Sequence, residues 1–150
     1  MLNRYKVLDA FFIGILSGGL MGLLLKLVEY KTEVRVYTLL LNVDFIPIIG
    51  QINWSEPIEF IYHLLISIAV AFVFIYLADR EPQLKLWLIS FILCLPTIIL
   101  YFPLSNLALK EVPAWNDWIA FSFWSIAHFF YAWSLPILYK ITKKRSTSLR

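Results

Sequence analysis

An acid and an imidazole lie four residues apart inside a long apolar segment of this 150-residue chain. Glu59, His63, Ser67 and Ala71 recur at a spacing of four, which places them on one face of a helix. Ionisable groups in a membrane helix are costly, so they face other helices or a wet cavity. A glutamate beside an imidazole forms a coupled pair that can change protonation in mildly acidic conditions. The sequence therefore predicts a protonatable site on this helix.

The composition is that of an integral membrane protein. Hydrophobic residues make up 61% of the chain, whereas soluble domains contain about half. The net charge of +3 comes from basic residues beside apolar runs, where the positive-inside rule accounts for them without nucleic acid. The single cysteine, Cys94, excludes an intramolecular disulfide and a multi-cysteine metal site. We expect the lipid bilayer as partner, and no nucleic acid, metal or cofactor.

Four apolar segments are long enough to cross a bilayer, and they predict an all-α, four-helix membrane bundle that forms a single domain. We place the helices at about residues 7–28, 57–78, 85–103 and 114–139, with an outer loop over residues 29–56. The loop contains two apolar stretches, at residues 36–41 and 45–49, which are too short to span. Pro47 and Gly50 interrupt the second stretch. Lys and Arg residues are concentrated on the side of the two termini, which predicts that both termini are cytoplasmic.

The first predicted helix carries a stripe of glycines. Gly14, Gly18 and Gly22 recur every four residues, and Lys26 continues the stripe toward the outer surface. Small residues at this spacing let a second helix approach closely. We therefore predict that the glycines are used for helix packing, and the same face is a candidate surface for a homodimer.

The predicted topology brings the outer ends of the first, second and fourth helices together. Five polar residues would then lie around one outer-leaflet pocket, namely Lys26, Glu29, Glu59, His63 and, deeper, His128. The cluster suits either hydrogen-bonded helix packing or a proton-sensitive site. Glu59, His63 and His128 also have the types of zinc ligands, but no zinc motif accompanies them. No nucleophile elbow or phosphate-binding loop is present, so we expect no enzyme activity.

Several short motifs are spread along most of the chain. In order they are Gly14 and Gly18, Lys26-x-x-Glu29, Arg35, His63-x-x-x-Ser67, Lys85-Leu86-Trp87, Phe102-Pro103-Leu104, Trp115, and His128-x-x-x-x-Trp133-Ser134. This series resembles the YagU-type bacterial inner-membrane protein family, a domain of unknown function. The resemblance implies a multi-pass protein of the bacterial cytoplasmic (inner) membrane with four spans. It also implies a loose link to acid or envelope stress and no catalytic activity.

These observations leave several functions open. The first is a small non-enzymatic membrane protein, linked through the resemblance to acid or envelope stress, in which protonation of the polar cluster changes helix packing. The second is a small transporter or channel subunit acting as a homo-oligomer, since four spans are few for a complete pathway. A metal-dependent membrane enzyme and a scaffold within a larger membrane complex are further alternatives.

Overall fold

The computed structural model describes residues 4–44, 46, 48, 50, 52–81 and 84–148, which form helices and no strands. The helices are α1 (Arg4–Thr32), α2 (Val36–Leu41), α3 (Glu56–Arg80), α4 (Leu86–Ile99), α5 (Tyr101–Leu107) and α6 (Trp118–Ser148). The all-α prediction is thus confirmed for this part of the chain. Its helical segments Lys6–Thr32, Glu56–Arg80 and Leu86–Leu107 are long and apolar enough to cross a membrane, which supports a membrane protein.

Helix α3 buries its polar face and exposes its apolar face. Glu59, His63 and Ser67 are all buried. On the opposite side Ile61 and Leu65 are about half exposed, at 54% and 53%. Hydrocarbon accepts exposed apolar side chains without penalty, whereas polar groups within it need partners in the protein. This distribution of polar and apolar side chains on α3 is therefore the one expected of a helix with protein on one face and lipid on the other.

Helix α1 packs against α3 and α6, and α6 packs in turn against α4. The contact between α1 and α3 is made through the glycine stripe. A Cβ atom added at Gly14 would lie 2.5 Å from the Cα of Ile68, and one at Gly22 would lie 2.5 Å from the Phe60 ring. Only glycine permits such an approach. The glycine face considered above as a surface for a homodimer is therefore covered by α3 of the same chain.

The predicted outer loop over residues 29–56 contains a buried helix. Val36 and Leu39 of α2 are fully buried, and α2 contacts α1, α3, α5 and α6. Six residues are too few to cross a bilayer, so α2 instead inserts its apolar side chains between the ends of longer helices. Of the second apolar stretch, Phe45, Pro47 and Ile49 lie outside the described residues.

The third predicted helix is divided in two. Leu100 separates α4 from α5, and Pro103 explains the position of this break. A proline lacks an amide hydrogen, and its ring clashes with the carbonyl four residues earlier, here that of Ile99. The predicted start of the last helix at residue 114 is also too early. The Asp117 carboxylate accepts hydrogen bonds of 3.0 Å from the amides of Ile119 and Ala120, so this residue caps α6.

We predict opposite effects for two alanine substitutions on α1. Gly14→Ala should lower the free energy of unfolding by about 1–3 kcal/mol, because the new methyl group meets the α3 backbone. Gly19→Ala is the matched control, since nothing lies within 4 Å of a Cβ at that position. The control should be neutral or stabilising by up to about 1 kcal/mol. Thermal unfolding in detergent, followed by circular dichroism, measures the stability of both variants. Equal stability of the two would contradict this packing of α1 against α3.

Candidate functional site

A buried ion pair lies near the N-terminal end of α3. The Glu59 side chain is only 8% exposed, and its carboxylate accepts a hydrogen bond from the Lys110 ammonium. Lys110 belongs to the segment 108–117 between α5 and α6. The amides of Leu109 and Lys110 donate to the Asp44 carboxylate, at 3.2 and 3.0 Å, which holds this segment in place. Lys110 carries no periodic signal in the sequence and is not among the predicted cluster residues.

Lys26 pairs with Glu56, and not with the more deeply placed Glu59. The Lys26 Nζ lies 2.5 Å from Glu56 Oε1, and the Tyr37 hydroxyl donates to the same oxygen at 3.0 Å. Both charged side chains are 53% exposed, so their attraction is weakened by solvent. Burial raises the pKa of Tyr37, and the neighbouring Glu56 carboxylate raises this pKa further. Tyr37 therefore stays protonated and continues to donate at neutral pH.

Glu29 connects α1 to the start of α2. Its carboxylate accepts hydrogen bonds from the Thr38 amide at 2.8 Å and from the Thr38 hydroxyl at 2.7 Å. The amides in the first turn of a helix have no partner within that helix, so Glu29 supplies one from another element. This predicted cluster residue thus acts as a remote cap for α2.

These charged groups surround one cavity of about 370 Å³, which we call the Glu59 pocket. Its lining consists of Lys26, Glu29, Tyr30, Tyr37, Thr38, Leu41, Glu56 and Glu59. Three residues of the predicted cluster, Lys26, Glu29 and Glu59, therefore lie around a common space. The two histidines are not part of it.

His63 and His128 instead line a second, smaller cavity of about 80 Å³, which we call the histidine cavity. The rings are 8% and 3% exposed. His63 Nε2 lies 3.1 Å from the carbonyl oxygen of Gly18, so it connects α3 to α1. His128 Nδ1 lies 2.8 Å from the carbonyl oxygen of Trp124, one turn earlier on α6. The predicted coupled pair of Glu59 and His63 is therefore not a direct contact, because Glu59 bonds to Lys110.

Hydroxyl groups join the helices in the same layer. The Ser67 hydroxyl donates to the carbonyl oxygen of Gly14 at 2.7 Å, and the Tyr131 hydroxyl donates to the carbonyl oxygen of Ser67 at 3.1 Å. On the neighbouring interface the Ser134 hydroxyl lies 2.7 Å from that of Ser17. Interhelical hydrogen bonds in membrane proteins contribute about 0.6 kcal/mol each on average. Together they add directional contacts between α1, α3 and α6.

A second ionic cluster lies at the opposite end of α3. The Asp79 carboxylate pairs with Lys6 of α1 at 2.7 Å and accepts a hydrogen bond from the Tyr139 hydroxyl of α6 at 2.6 Å. Lys143 of α6 lies 3.6 Å from the same carboxylate. Asp79 thus joins three helices, a role that its position in a charged turn of the sequence does not predict.

Within the described part of the chain, no three His, Cys, Asp or Glu side chains are grouped so that they could hold a metal ion. Glu59, His63 and His128 are accordingly not brought together as a ligand set. Comparisons with protein-family models, with curated proteins and with solved structures give no match for this chain. The resemblance to the YagU-type family therefore stays a prediction.

We predict that the two glutamates of the Glu59 pocket differ in their contribution to stability. Glu59→Gln should lower the free energy of unfolding by about 2 kcal/mol, less than for a fully buried pair because Lys110 is partly exposed. Glu56→Gln is the matched control, since its ion pair is half exposed, and should cost less than about 1 kcal/mol. Chemical or thermal unfolding in the same detergent measures the free energy of unfolding of both variants. A larger loss for Glu56→Gln would contradict the assigned burial.

Proposed function

We propose that this chain is a small non-enzymatic protein of the bacterial cytoplasmic membrane, linked to acid or envelope stress. In this proposal, proton uptake at His63, within the polar intramembrane cluster, loosens the contacts between helices. The observation that carries it is the buried pair of Glu59 and Lys110, one helical turn from a histidine that bonds to α1. The resemblance to the YagU-type family is the source of the proposed link to stress.

The charge of Glu59 holds the segment 108–117 through Lys110. A neutral side chain at position 59 would not attract the Lys110 ammonium, and a cation beside a buried neutral group is unfavourable. The Lys110 region would then be attached through Asp44, which accepts hydrogen bonds from the amides of Leu109 and Lys110. Contacts at this end of α3 therefore depend on charge.

Protonation of His63 would act on the contact between α1 and α3. Its Nε2–H already donates to Gly18, so an added proton goes to Nδ1 and creates a cation among apolar helices. The packed state disfavours this charge, whereas an opened state can expose it to water. The opened state then binds more protons, so the stability of the packed state falls as pH falls.

The proposal includes α6 as a fourth span. This helix is 31 residues long and packs against α1 and α4, although its tryptophans, serines and His128 make it less apolar than the other three. With four spans, the excess of Lys and Arg on the side of the termini would place both termini in the cytoplasm. The Glu59 pocket would then face the periplasmic side.

The acid response can be measured as thermal stability in detergent between neutral pH and about pH 5. We expect the midpoint of wild type to fall with pH by several degrees, since about 1 kcal/mol corresponds to roughly 2–4 °C for a chain of this size. His63→Gln should flatten this dependence. The glutamine at position 63 retains an amide that can donate to the Gly18 carbonyl.

Glu56→Gln serves as the control for the acid response, because it removes a half-exposed carboxylate at the same pocket and should keep the wild-type slope. If His63→Gln shifts the whole curve by a constant amount, His63 contributes no pH-dependent stability. That result would contradict the proposed proton response.

The proposed topology is checked by labelling single cysteines in intact cells and inverted vesicles, in a Cys94→Ala background. Leu109 is 83% exposed beside the Glu59 pocket, so Leu109→Cys should react with a membrane-impermeant maleimide from the periplasm. Lys140→Cys should react only in inverted vesicles. The reverse pattern would overturn the orientation, and labelling of both positions from one side would remove α6 as a span.

A further inference from the structure

Each of the two histidines has one ring nitrogen that bonds to none of the residues that the structure describes. A carbonyl oxygen can only accept a hydrogen bond, so the nitrogen that faces it must carry the proton. His63 is therefore the Nε2–H tautomer, bonded to Gly18, and His128 is the Nδ1–H tautomer, bonded to Trp124. Nδ1 of His63 and Nε2 of His128 are left as acceptors, and both rings line the histidine cavity.

The other polar side chains of this cavity already donate elsewhere. The Ser67 hydroxyl donates to Gly14, and the Tyr131 hydroxyl donates to the carbonyl of Ser67. The Thr97 hydroxyl donates to Cys94, and the Trp124 ring nitrogen donates to the carbonyl of Thr97. The described side chains around the cavity thus offer acceptors and no uncommitted donor.

We propose that the histidine cavity binds a small neutral molecule that donates hydrogen bonds to His63 Nδ1 and His128 Nε2. Its volume of about 80 Å³ exceeds the roughly 10–15 Å³ that one water molecule needs. The residues His63 and His128 are 8% and 3% exposed, so their unprotonated nitrogens give such a molecule a favourable position, because an acceptor shielded from solvent and left unfilled loses its hydrogen bond. Water and dissolved ammonia share this chemistry.

The surroundings favour a neutral occupant over a cation. Among the described residues, those that line the cavity include no carboxylate and no ammonium group. On α3 the nearest acid is Glu59, one turn from His63 and paired with Lys110. The other titratable group of the lining is Tyr131 of α6, which donates to Ser67. A cation here would lack a counter-ion in an apolar layer, which is costly.

Nitrogen-15 NMR of the histidine-labelled full-length protein in lipid nanodiscs at neutral pH tests the site. We expect the two tautomers assigned above, with both unprotonated nitrogens at shifts typical of hydrogen-bond acceptors. His128→Leu should move the His63 Nδ1 signal toward the shift of a free nitrogen, because the bound molecule loses one acceptor. Ser125→Ala, on the same helix and outside the cavity lining, should leave the His63 signal unchanged.

Nitrogen-15 spectra recorded in ammonium chloride and in sodium chloride identify the molecule that occupies the cavity. A change of both acceptor signals with ammonium alone supports the site with ammonia as ligand. Equal spectra in the two salts, with transfer from water protons to these nitrogens, support the site with water. Reversed tautomers, or free-nitrogen shifts for both rings in the wild-type protein, would overturn the proposal, and this readout does not require the variants to fold. The NMR measurement at neutral pH is also independent of the acid response, which is measured as a slope of stability with pH.

Discussion

The close contact between α1 and α3 is the constraint on which the other interhelical contacts depend. With hydrogen atoms in place of side chains at Gly14 and Gly18, the backbone of α1 lies open to α3. The carbonyl oxygens of these two glycines then come within hydrogen-bond distance of Ser67 and His63, at 2.7 and 3.1 Å. A larger residue would separate the helices, and both bonds would lengthen together. The packing of small residues and the placement of the polar groups are therefore one structural feature.

Polar groups within the apolar layer find partners mainly among backbone carbonyls. His63, Ser67 and His128 all bond to carbonyl oxygens, whereas the ion pairs of Lys110 and Asp79 lie toward opposite ends of α3. This separation follows from solvation, because a charge pair near water costs less to form than one in hydrocarbon. One consequence is that the donors of the histidine cavity are committed while two ring nitrogens remain acceptors.

Two connecting segments cover the Glu59 end of the longer helices. One is the segment with α2, which is inserted between the ends of these helices. The other is the segment 108–117, which is attached to the residues flanking α2 by contacts that are distant in sequence. Arg35 pairs with Glu111 at 2.7 Å, and Asp44 accepts hydrogen bonds from the amides of Leu109 and Lys110. These bonds join the two connecting segments to each other. The buried pair of Glu59 and Lys110 then connects the segment 108–117 to α3.

Periodicity in the sequence by itself determined the helical class, the long apolar segments and the residues that share a face. Spacings of four placed Glu59, His63 and Ser67 together on α3, and this is a local property of the helix. Only the tertiary structure decided the partners. Lys110 is 51 residues from Glu59 and lies in a segment without periodicity, so no local rule could pair them. The rotation of each helix about its axis also decided that the histidines line one cavity and Glu59 another. That rotation is a tertiary property, because it depends on how the glycine face of α1 meets α3.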